Sequence, residues 1–114
     1  MEKQSEAWRA RVRRLNDQFR SYGIGRGSLM VTAGIHERGE AFMQVVLAMV
    51  RSFAAFDASN DPHHEHDFGA FTLGGERVFF KIDYYDLALT GHSSDAADLA
   101  QTHRVLTVML ASEY

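Results

Sequence analysis

Two glycines, Gly74 and Gly75, separate two runs rich in aromatic and β-branched residues, HDFGAFTL and ERVFFKIDYY. No other feature limits the fold so tightly. Glycine admits the positive φ angles that two-residue hairpin turns need, so the pair predicts a β-hairpin and its register. Leu73 then opposes Glu76, Phe71 opposes Val78, Gly69 opposes Phe80 and Asp67 opposes Ile82. Strand side chains alternate between faces, so Phe71, Leu73, Val78, Phe80 and Ile82 share one face, which should pack on helices. Gly69 leaves room there for the Phe80 ring.

The second face pairs Thr72 with Arg77, Ala70 with Phe79 and Phe68 with Lys81, and further along His66 with Asp83 and His64 with Tyr85. Opposed Cβ atoms lie about 5 Å apart, so His66 and Asp83 are expected to touch. Such a pair has several uses. It can steady the open end of the hairpin. It can join a metal site drawn from His63, His64, His66, Asp67 and Asp83, with His64, His66 and Asp83 as the candidates, since imidazole and carboxylate suit Zn, Mn or Fe(II), although the sequence fixes a pair and not a complete set of ligands. It can serve acid–base chemistry, with Asp83 orienting His66, although no nucleophile stands next to it. Tyr85 and its neighbours can also anchor a partner protein. Phe68 and Phe79 lie on this otherwise polar face and need cover from a terminal helix, a second subunit or a partner.

Elsewhere Trp8, Val12, Leu15 and Phe19 recur at helical spacing, predicting an amphipathic helix over residues 3–21 that ends in the glycines between Gly23 and Gly27. Arg9, Arg13 and Arg20 line one flank of its apolar stripe, a candidate contact for an acidic partner. Residues 28–33 (SLMVTA) read as a strand buried on both faces. A second helix is expected from near Glu37 to Phe53, apolar over most of its surface and therefore central or at a subunit contact. Between strand and helix, Thr32-Ala33-Gly34 has too few glycines for a phosphate loop and reads as a tight turn. Residues 54–67 form a polar loop around Asn60-Asp61-Pro62. The last segment, 99–114, fits helix or strand; its length and alanine content favour helix, with His103 on its apolar side. The expected architecture is α+β in the order α-β-α-β-β-α, a small sheet with a central hairpin and helices on at least one face.

The length of 114 residues fits one domain spanning 1–114. Without cysteine there is no disulfide and no thiolate metal site, and a reducing cytoplasm is the expected location. No apolar run reaches membrane-spanning length and the charged start has no leader-like core. No cofactor motif is present. The net charge is −3, yet residues 1–33 carry seven bases against three acids. That asymmetry suits a protein partner, while the acidic whole argues against direct nucleic-acid binding.

The stretch DPHHEHDFGAFTLGGERVFFKIDYYD (61–86), with RVLTVMLASEY (104–114), RVRRLNDQFR (11–20) and MVTAGI (30–35), resembles domain-of-unknown-function family 3768. The family has no assigned activity, so the resemblance transfers no catalytic role. Its members are short bacterial proteins, often on mobile elements, which implies an accessory role such as countering a host defence system. The expected function is thus a non-enzymatic protein-binding accessory protein, an inhibitor of anti-CRISPR or anti-restriction type acting on a nucleoprotein defence complex. A small metal-dependent or His–Asp hydrolase centred on residues 64–85 is the alternative, and a structural homodimer the third.

Overall fold

The computed structural model describes residues 5–114. Ser5 opens the first helix, α1 (Glu6–Tyr22), by accepting the Trp8 N–H at 3.0 Å. Gly23 closes it at φ 71°, a left-handed cap that glycine adopts at little cost. Residues 3 and 4 of the expected helix lie outside the described residues. Trp8, Val12 and Leu15 are buried and Phe19 half-buried, so the apolar stripe is the packed one. Full burial of such a side chain stabilises the fold by about 1.5–3 kcal/mol.

Three further strands and two further helices follow the first strand. β1 is Gly27–Val31, α2 is Ala33–Glu37, α3 is Glu40–Ser52, β2 is Phe68–Leu73, β3 is Glu76–Tyr85 and β4 is His103–Leu110, with a short 3₁₀ turn at Ala111–Glu113. The strands form one mixed sheet in the order β1-β4-β3-β2. β1 runs parallel to β4, and the other neighbours are antiparallel. The fold is α+β, with every helix on one face of the sheet. Ile35, Val46 and Val50 from the helices meet Val78, Phe80, Ile82, Leu106, Val108 and Leu110 from the sheet to form the core.

The hairpin register is the expected one from Leu73↔Glu76 to Phe68↔Lys81. A Cβ at Gly69 would overlap the Phe80 ring, which explains a glycine in mid-strand. Three expectations are corrected. The last segment is not a helix: Arg104, Leu106, Val108 and Leu110 alternate with Val105, Thr107 and Met109, and this strand is what joins β1 to the hairpin. Its period of two fills both faces of a central position, while Leu99, at the start of the expected helix, sits in the preceding loop and is exposed. The strand at residues 28–33 is not buried on both faces but is an edge, with Leu29 50% and Met30 58% exposed. The helix expected from near Glu37 to Phe53 is α3, which starts after Gly39 at φ 97°, but Thr32-Ala33-Gly34 does not form a simple tight turn: the separate short helix α2 starts there at Ala33. α3 lies on the periphery and buries only Val46 and Val50 fully.

Candidate functional site

The His66–Asp83 pair does not form. The hairpin ladder stops just before His66, with a last bond from Ile82 N–H to the Asp67 carbonyl at 2.8 Å. His64 and His66 both have positive φ, 58° and 56°, so the chain turns away from the sheet there. The cause is the buried Asp61, whose Oδ1 accepts the Glu65 N–H at 2.9 Å and the His66 N–H at 3.1 Å. This capping by a side chain competes with the ladder for the same backbone donors.

His66 instead faces α1. Its Nδ1 meets Asp17 Oδ1 at 2.9 Å, its Nε2 lies 3.7 Å from Asp61 Oδ2, and its ring stacks on Phe56 with centroids 3.9 Å apart. One ring nitrogen is thus hydrogen-bonded to the Asp17 carboxylate, and the other lies at ion-pair distance from that of Asp61. His64 is exposed, and its carbonyl accepts Arg13 Nη1 at 2.8 Å. Asp83 lies on the opposite face of the sheet, paired with Lys81. The weak metal candidates His64, His66 and Asp83 are thus not brought together, and no cluster of three His, Cys, Asp or Glu side chains fit to hold a metal ion occurs among the described residues.

The arginine flank also divides. Arg20 is buried: Nε donates to the Val50 carbonyl and Nη2 to the Phe53 carbonyl, each at 3.0 Å, and Nη1 pairs with Asp17 at 3.1 Å. Its guanidinium lies over the Phe56 and Phe80 rings. It thus closes the C-terminal end of α3, where carbonyls lack helical partners, and it is unavailable to a partner. Arg13 secures the loop. Arg9 is half-buried beside a cavity lined by Trp8, His63 and Glu65.

A buried polar network escaped the sequence reading. Asn16 Nδ2 donates to Tyr84 Oη at 2.8 Å and to the Glu65 carbonyl at 2.9 Å, while its Oδ1 accepts Arg104 Nε at 2.7 Å. Tyr84 donates to Glu65 at 2.7 Å, and burial pushes its hydroxyl pKa upward. Asn16, inside an otherwise apolar stripe, was the available signal. At the strand–helix junction, the Gly34 N–H and the Thr32 hydroxyl both bond the Glu113 carboxylate, at 2.9 and 2.6 Å. These bonds hold that carboxyl below the usual range, and the junction is occupied from within.

The remaining surface is the sheet face that no helix covers. Phe68 and Phe79 meet there with centroids 5.1 Å apart, and Tyr114 lies 5.9 and 5.7 Å from them. Lys81 and Asp83 stand beside the aromatic group, with Arg77 and Thr72 exposed at its rim. The bond to Asp83 raises the Lys81 pKa and keeps it charged. Tyr85, opposite His103, is half-buried at the far end, its ring parallel to His92. A cavity of about 340 Å³ opens at the near end, lined by His63, Asp67, Phe68, Lys81, Asp83 and Tyr114 among others. Loss of water contact, then repulsion from Glu65, raises the Asp67 pKa to about 6. Phe68, Phe79 and Tyr85 thus lie on one surface as the hairpin register implies, while Arg9, Arg13 and Arg20 belong to the opposite layer. No helix among the described residues is long and apolar enough to cross a membrane.

Residues 31–113 match a family described as "Protein of unknown function (DUF3768)". No curated protein matches the chain, and neither does any solved structure.

Proposed function

The chain belongs to the DUF3768 family, which carries no known activity, and from its geometry we propose that it is a non-enzymatic binding protein whose working surface is the uncovered sheet face. The observation that carries this reading is the Phe68–Phe79–Tyr114 group, three rings in mutual contact on a face that nothing else in the described chain covers. An aromatic centre with a rim of Arg77, Lys81, Asp83 and Thr72 has the composition of a protein contact, where desolvated aromatics supply most of the energy and the polar rim excludes water. The separation of His66 from Asp83, which lie on opposite faces of the sheet, weighs against the hydrolase alternative.

As the partner we propose a nucleoprotein defence complex, with the protein as its inhibitor, a reading that rests only on the mobile-element association the family resemblance implies. Affinity capture from the native host, with Phe79→Ser as the comparison bait, tests the reading. A partner held by the native protein and lost by the folded variant is the expected result. Equal capture by both baits would overturn it.

A further inference from the structure

β1 is an edge strand whose outer side is open. Arg104 N–H bonds the Arg26 carbonyl and Thr32 N–H bonds the Val108 carbonyl, both at 3.1 Å, so the even-numbered residues face β4. By the alternation of a strand, the N–H and C=O groups of Gly27, Leu29 and Val31 point away from the sheet. Natural edges are usually blunted by charge, proline or a covering element. GSLMV has neither charge nor proline, and it is exposed except at Val31, whereas the other edge strand, β2, is mostly half-buried. Exposed apolar side chains gather around it: Tyr22 79%, Ile24 52%, Leu29 50% and Met30 58%.

A groove of about 430 Å³ runs beside this edge between α1 and α3. Phe19, Leu29, Leu47, Val50 and Leu106 give it an apolar floor. The charged residues lining it are Arg20 and Arg51, with no carboxylate. Arg20 is consumed internally. The Arg51 guanidinium has no partner among the described residues, and neither does that of Arg26, which precedes β1. We infer that this groove receives an extended acidic peptide segment of another protein, which adds to the sheet as a fifth strand alongside β1. Its backbone pairs with Gly27, Leu29 and Val31, alternate apolar side chains enter the groove, and a carboxylate meets Arg51. A second copy of this chain fits less well, since its own β1 has no acid and is preceded by Arg26, bringing like charges together.

The test is an array of decapeptides with apolar residues at alternate positions and Glu, Thr or Lys at the others, probed with the full chain. Glutamate members are expected to bind and lysine members not to. Amide exchange at Gly27, Leu29 and Val31 should slow on binding. Leu29→Pro removes an outward N–H and spares the ladder to β4, as an edge tolerates; it should weaken binding about tenfold or more at unchanged melting temperature. Arg51→Glu, on an exposed position, should weaken it about fivefold, the effect of roughly 1 kcal/mol. Phe79→Ser should leave it unchanged, which separates this groove from the sheet face of the proposed function. Absence of binding by every member, equal binding of lysine members, or full binding by the folded Leu29→Pro variant would overturn the inference. So would a doubled solution mass with the Leu29 amide protected in the absence of peptide, which assigns the edge to a second copy.

Discussion

Asp67→Asn should make the protein more stable at neutral pH, and the gain should vanish in acid. The Asp67 carboxyl is raised from an ordinary 3.8 to about 6, first by partial removal from water and then by the negative charges of Glu65 and Asp61, partly countered by His63. Between those two values the folded chain holds a proton that the unfolded chain has released. Stability therefore falls as pH rises through that window, opposite to the behaviour of a salt-bridged carboxylate. About two pKa units at 1.36 kcal/mol each set an upper bound near 3 kcal/mol. The side chain is only half-buried, and solvent screening brings the expected cost of its charge to about 1–2 kcal/mol at pH 7.5. The asparagine variant carries no such cost. Urea unfolding of both proteins in half-unit steps from pH 4 to 8 measures it, and the difference between the two curves cancels the other titrating groups. The gap should be largest above pH 7, shrink through pH 6 and close near pH 4. A gap constant with pH, or a variant less stable at pH 7.5, would refute the assignment of a raised pKa to Asp67.

Other consequences can be measured directly. Gly69→Ala places a methyl group in the space filled by the Phe80 ring and should destabilise the fold by about 1–3 kcal/mol in chemical denaturation. Asn16→Ala strands Arg104 Nε and the Glu65 carbonyl in a buried site and takes a donor from Tyr84, for a loss of about 2–4 kcal/mol. Glu113→Gln removes the charge from the bonds to Thr32 and Gly34 and should lower stability by about 1 kcal/mol, with faster amide exchange at Gly34.

Sequence alone revealed the hairpin where one physical rule governs it. Between Phe68 and Lys81 the period of two and the Gly74-Gly75 turn decide everything, and each pair falls in place. Two residues upstream of Phe68 the same rule fails, because Asp61 takes the Glu65 and His66 amides that the ladder would have used. Asp17 becomes the partner of His66 from another element, a relation that no local periodicity encodes. Arg20 sits on the flank of the α1 stripe and looks solvated in a helical projection, yet the carbonyls of Val50 and Phe53 draw it inside. In the last strand, Leu106 and Leu110 satisfy a helical spacing as well as a strand alternation, so only the need for a strand between β1 and β3 decides it.

That last strand also governs when the protein can fold. β4 holds β1 on one side and the hairpin on the other, so residues near the start of the chain wait for partners near its end. During synthesis the hairpin emerges with one flank unpaired and β1 has nothing to pair with. The sheet can close only after Leu110 has left the ribosome. The β1–β4 pairing, such as Gly27 with Arg104, carries a large loop-closure cost before any contact offsets it, so closure of the sheet is expected to be late and slow.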